Sequence, residues 1–333
     1  IYYLITPTAT DNQVDDWNNH VSTGFDLLLY NKIDMSANSG HGRVIRKAMS
    51  LLENTSLSFT QMMACRHSSG EGWWLLKQAS DTNLIYKFLV TKDSIYNVGT
   101  QGFSEPHFGL YELAGQSMFN QTGAQFATTC SSLGTDYIFL SDFDRCSGIL
   151  SKPRIHGIPD LPNTEVDSTL DVAPSGLCFS PNGQFIYLIK YHHIFQLDLF
   201  NPDSSTAWYH VANLDTTSNE FSGYGNAYIG PDDKVYISNW NALSKEMSYI
   251  EYPNIKGAGC NFCARCLRFP KRGVSTVPCM PNYGLEKDSI INCPLPIFPP
   301  PPSINESLII YPNPSNGILT LESSLLNNQE NEI

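Results

Sequence analysis

The sequence predicts an all-β protein, a β-propeller with roughly five or six blades in view, and three observations carry that expectation. Strand-like runs are short, rich in β-branched and aromatic residues, and separated by turns built on Gly, Asn, Asp or Pro. A degenerate strand–turn–strand unit recurs along the chain, as it does where each blade buries one sheet face only by packing on its neighbour. Composition agrees: of 333 residues 41% are hydrophobic and 12% aromatic, with 23 Gly and 21 Pro to supply tight turns. A two-sheet sandwich is the runner-up, but one sandwich is normally shorter than this array.

Taken in order, "IYYLIT" at residue 1 already reads as strand interior, so the sequence is expected to start at an internal or processed end. Strands follow in "GFDLLLYNKI", "SFTQMMAC", "GWWLLKQA", "NLIYKFLVT", "TDYIFLSDF", "GQFIYLIKYHHIFQLDL", "DKVYISNW" and "EMSYIEYP". The one helical stretch expected is "RVIRKAMSLLEN". The repeat is clearest in "GQSMFNQTGAQFATTC" (115–130), "GLCFSPNGQFIYLIK" (176–190) and "GNAYIGPDDKVYISN" (225–239), whose turns centre on Gly123, Gly183 and Asp233. "MMACRHSSGEGWWLLKQ" has the same layout earlier. Residues 1–292 therefore form the propeller-like domain. Residues 293–304, with "PLPIFPPPPS", are a stiff Pro-rich linker. Residues 305–333 read as strand, turn and strand, too little for an independent sandwich.

Charge and cysteine usage narrow the setting. Twenty Lys+Arg against 32 Asp+Glu give a formal charge of −12, which repels phosphate backbones and argues against a nucleic-acid partner. The longest apolar run is far short of a membrane span. Nine cysteines without a recognisable metal motif suit an oxidising compartment, and the odd number leaves at least one thiol free or paired outside the chain.

The segment "SLIIYPNPSNGILTLES" (307–323) resembles the opening of the type A C-terminal sorting domain of Bacteroidetes proteins exported by the type IX secretion system. The likeness lies in Tyr311, Pro312, Asn313 and Pro314, the Asn316–Gly317 turn, and the alternating strand after it. It implies the start of a small Ig-like β-sandwich that is incomplete here, held away from the propeller by the prolines. The body is similar to a propeller-like region of secreted Bacteroidetes proteins, through "LLLYNKIDMSANSGHGRVIRK" (27–47), "ACRHSSGEGWW" (64–74), "GLCFSPNGQFIYLI" (176–189), "IEYPNIKGAGCNF" (250–262) and "MPNYG" (280–284). In that family further blade-like sequence precedes the "YYL" strand, which implies an N-terminally truncated propeller. "DSI" at 93–95 and 288–290 resembles the O-glycosylation sequon of such proteins, making Ser94 and Ser289 candidate glycan sites. Together these imply export to the medium or cell surface, with the secretion machinery and surface proteins or glycans as partners.

Candidate chemistry is sparse. In "CNFCARC", Cys260, Cys263 and Cys266 lack the fourth ligand of an iron–sulfur loop or the second pair of a zinc site. With Cys279 and Cys293 they are disulfide candidates, expected to staple a last blade poor in strands. Asp142 and Asp144 share one side of a strand end and could hold Ca2+ or act as an acid/base pair. No other cofactor is expected. In "RHSSGEGWW", His67, Trp73 and Trp74 are candidate carbohydrate or partner contacts, alongside Glu71. Adjacent strand residues face opposite ways, so one Trp belongs to the core and the other to the opposite face. The same alternation separates His192 from His193. Nucleophile-elbow, zinc-helix and phosphate-loop motifs do not occur. The expected function is non-enzymatic binding, adhesion or surface scaffolding. The rival is a secreted polysaccharide-active enzyme in the propeller channel, which would need two carboxylates about 5–9 Å apart in a cleft.

Overall fold

The computed structural model describes residues 1–19, 24–80, 82–104, 108, 115–132, 135–158, 174–203, 206–214, 223–240, 244–272, 280–288 and 292–296, and the backbone of 308–311 and 320–323. It divides into two compact units, Ile1–Leu295 and Pro296–Ile333.

The first unit opens with β1 (Tyr2–Thr8), α1 (Asp11–Asn18), β2 (Leu27–Asp34) and β3 (Arg43–Leu52). The three strands form an antiparallel sheet in chain order. Four four-stranded meanders follow: β4 (Leu57–Arg66), β5 (Trp73–Ala79), β6 (Leu84–Val90) and β7 (Ile95–Gly102); β8 (Ser117–Phe119), β9 (Gln125–Ser132), β10 (Thr135–Asp144) and β11 (Ile149–Gly157); β12 (Gly176–Phe179), β13 (Phe185–Ile189), β14 (His193–Asp198) and β15 (Trp208–Asn213); β16 (Tyr224–Ile229), β17 (Val235–Asn239), β18 (Glu246–Ile250) and β19 (Phe262–Arg268). The first strands of these meanders lie side by side, β4 against β8, β8 against β12 and β12 against β16. That is the arrangement of propeller blades, with the opening strand of each at the centre.

Burial follows from this placement. Every residue of β12, β13 and β14 is buried, because their sheet is covered on both faces by its neighbours. "GLCF", "FIYLI" and "HIFQLD" accordingly read as nearly continuous apolar runs. Their core holds Leu177, Phe179, Phe185, Tyr187 and Phe195, each at most 2% exposed. Buried Gln116 ties the central strands together. Its Nε2 donates to Ala227 O at 2.7 Å, and its Oε1 accepts from Leu177 N at 3.1 Å and Ala227 N at 3.0 Å.

The repeat unit read from the sequence is the first hairpin of a blade: β8–β9, β12–β13 and β16–β17. The turn residues Gly123, Gly183 and Asp233 all have positive φ, at 72°, 72° and 61°. At Gly123 a Cβ would also stand 2.7 Å from Cys65 Sγ, so glycine is required there.

Two expectations are corrected. "RVIRKAMSLLEN" is not a helix; it forms β3, paired with β2. Its helix formers are overridden because the sheet needs an outer strand, and propensity alone is a weak prior. The helix lies instead at "DNQVDDWN", where Thr10 caps Gln13 N and is itself held by Asp26. The run "GQFIYLIKYHHIFQLDL" is two strands, turned where Lys190 N donates to His193 O at 2.8 Å.

In the second unit β20 (Leu308–Tyr311) pairs antiparallel with β21 (Thr320–Ser323). Tyr311 ends β20, whereas Pro312, Asn313, Pro314, Asn316 and Gly317 lie outside the described residues.

Candidate functional site

A cleft of about 480 Å³ opens where the central strands end. Three walls come from equivalent places in three blades: Met63–Cys65 of β4, Met118 and Phe119 of β8 with Asn120 and Gln121 of its turn, and Tyr228 and Ile229 of β16 with Gly230, Pro231 and Asp233. The fourth is the strap Met280–Leu285.

The strap is held across β4 and β8 by hydrogen bonds and one ring contact. Asn282 Nδ2 donates to Gln121 O at 3.2 Å and to Gln121 Oε1 at 2.9 Å. Arg66 Nη1 donates to Leu285 O at 3.2 Å and Arg145 Nη2 to Glu286 O at 2.6 Å. Asp288 N donates to Ser68 O at 2.9 Å. Tyr283 packs edge-on against Trp73, ring centroids 5.4 Å apart, yet stays 66% exposed at the rim. A disulfide, Cys146–Cys293, anchors the chain beyond the strap to the β10–β11 turn.

Chemically the cleft is thioether, aromatic and aliphatic, with amides and one carboxylate, Asp233. Cys65 is the thiol in its wall, and burial pushes its pKa up to about 12 despite the opposing charge of Arg145. That thiol stays protonated and is a poor nucleophile. A wall of this kind suits binding by contact and shape.

The sequence candidates fall as follows. Trp74 is buried at 1% exposure and donates Nε1 to Arg145 O at 2.9 Å, while Trp73 is half-buried between Arg66 and Tyr283. His67 is corrected as a contact residue: it is 0% exposed, with Nε2 3.0 Å from Cys146 O and Nδ1 3.0 Å from Ser69 Oγ. Burial lowers its pKa, partly opposed by the Cys146 carbonyl. Glu71 lies in the turn between β4 and β5, its N donating to Ser69 Oγ.

Asp142 and Asp144 are each engaged by other groups rather than by one another. Asp142 is held by Arg154 at 2.7 Å and Lys152 at 3.1 Å, and Asp144 accepts from Cys146 N and Ser147 Oγ within its own turn. Partial burial alone would raise both carboxyl pKa values, but these partners bring them below the ordinary range. No cluster of three or more His, Cys, Asp or Glu able to hold a metal occurs among the described residues.

Cys263 pairs with Cys266, whereas Cys260 is free and buried, a correction to its expected disulfide. Cys293 does not staple the last blade; its partner is Cys146, 147 residues earlier. Cys279 lies outside the described residues. Ser94 is corrected as a glycan site, since it is 7% exposed inside the β6–β7 turn. Ser289 lies outside the described residues. His192 and His193 are both 3% exposed with rings 6.3 Å apart, and His193 Nδ1 lies 3.0 Å from Asn213 Oδ1. Sequence reasoning missed the cleft aromatic Tyr283; its only signal was "MPNYG", singled out as a family stretch without a role.

The geometry defines a class: successive four-stranded antiparallel meanders with a cleft at their central strands. No protein-family model matches the chain, and no curated protein matches it. Among solved structures it is similar to β-propeller proteins. The Dos1 propeller matches at 10% identity and TM-score 0.46, covering 80% of this chain and 60% of that one. A periplasmic gluconolactonase of Pseudomonas aeruginosa matches at 11% identity and TM-score 0.44, covering 74% and 63%. TolB from Acinetobacter baumannii matches at 11% and 0.33, covering 67% and 45%. The chain thus spans about three-fifths of the length of the first two.

Proposed function

We propose that this chain is a β-propeller exported by the type IX secretion system and displayed or released at the cell surface, where it binds a surface glycan or protein without catalysing a reaction. The observation that carries the binding reading is the cleft under the strap, with its apolar and aromatic walls, exposed Tyr283 ring and single carboxylate. A glycosidase-type mechanism needs a second carboxylate across the cleft from Asp233, and the remaining lining residues supply thioether, amide and aromatic groups instead. Export is supported by the Tyr311–Gly317 motif after the Pro-rich stretch, and the two disulfides fit an oxidising compartment. No helix among the described residues is long and apolar enough to cross a membrane.

The test is retention of the purified protein on arrayed bacterial and host glycans and on isolated outer-membrane fractions, with Tyr283→Ala in parallel. Loss of this exposed rim aromatic, which a bound partner would cover, is expected to weaken retention by ~10-fold or more at unchanged melting temperature. Equal retention of both forms would move the site elsewhere, and turnover of any polysaccharide in the same panel would replace the binding reading with the enzymatic one.

A further inference from the structure

The two disulfides differ in loop length and in the exposure of one sulfur. Cys146–Cys293 joins residues 147 apart, and Cys293 is 6% exposed beside His67. Cys263–Cys266 closes over two intervening residues on β19, the outer strand of its sheet. Cys266 is exposed and Cys263 half-buried.

Pairing with β18 skips this turn. Tyr249 faces Cys263 and Met247 faces Leu267, so residues 264–266 bulge opposite Ser248. Arg265 at the apex has φ 55°, and its N donates to Ser248 Oγ at 3.0 Å. The β18–β19 register resumes on both sides of the bulge. A cross-link across so short a loop adds little to the fold.

We propose that Cys263–Cys266 is a thiol–disulfide exchange site that accepts electrons from an accessible dithiol. One thiolate of the dithiol attacks exposed Cys266 Sγ, the Cys263–Cys266 bond breaks, and Cys263 leaves as a thiolate that takes up a proton. The second thiolate of the dithiol then attacks its own first sulfur, closing the donor disulfide and releasing Cys266, which is protonated in turn. Two electrons and two protons pass from the dithiol to the Cys-Ala-Arg-Cys turn.

The experiment titrates the whole chain with dithiothreitol and, separately, with a reduced Cys-x-x-Cys peptide. Differential alkylation and peptide mass spectrometry read each bridge, and near-ultraviolet circular dichroism reads the fold. Cys263–Cys266 is expected to open at a dithiol-to-disulfide ratio at least ~10-fold lower than Cys146–Cys293, with the dichroism unchanged. Cys263→Ala is expected to trap oxidised glutathione as a stable mixed disulfide on Cys266. Opening of both bridges together, opening only with loss of the dichroism, or no adduct on Cys266 in Cys263→Ala would each overturn the proposal.

Discussion

Gly148 shows how tightly single residues are constrained around the strap. Its φ is 68°, and a Cβ there would stand 2.8 Å from the Trp74 ring atoms. Gly148→Ala is therefore expected to cost about 2–4 kcal/mol, from backbone strain plus overpacking, measured by chemical denaturation. His67 has the complementary constraint: it is buried and held neutral. His156 and His210 are also lowered, chiefly by burial. Because the folded values lie below the ordinary 6.5, the unfolded chain binds more protons as pH falls through that region. Stability is thus full above about pH 6.5 and is lost progressively below it. Melting temperature measured from pH 7.5 to 5 should fall, and His67→Gln should flatten part of the slope if the variant folds. A flat wild-type profile would show that these imidazoles titrate alike in both states.

At the scale of elements, inner strands were legible in the sequence and outer strands were not. β5, β13, β14 and β17 are nearly all buried, β6 is buried at four of its seven residues, and these strands announce themselves by Leu, Ile, Phe and Tyr. The fourth strands are edges. In β11, "ILSKPRIHG", most residues are exposed, and β19 is "FCARCLR". Edges are protected by charge and proline, which removes the alternation that sequence reading depends on. The cleft was illegible for a related reason: Met63, Met118 and Tyr228 are more than 50 residues apart from one another and meet only because the blades repeat. Gln116, just before β8, joins β12 and β16, and Gln116→Leu would orphan the buried N–H groups of Leu177 and Ala227. A loss of about 2–5 kcal/mol in a denaturant titration is expected; a neutral effect would mean that water or a neighbouring side chain replaces the amide.

At the scale of the molecule, the division at Leu295 and Pro296 predicts that a chain ending at residue 295 melts at the temperature of the whole. A drop of several degrees would show that the C-terminal unit stabilises the first. The Cys146–Cys293 bridge closes a loop of 147 residues, and replacing both cysteines by serine should cost about 3–5 kcal/mol, read in the same melts. That bridge also has a mechanical consequence. Cys293 sits just before the end of the first unit, so tension applied to the chain at Pro296 is passed covalently to the β10–β11 turn. Residues 147–292 are enclosed in the covalent loop and out of the line of force. The strap keeps its place over the cleft, and β16–β19 cannot be peeled away strand by strand from that end. The load falls instead on the β10–β11 hairpin, whose β10 strand is paired on both sides, with β9 and β11.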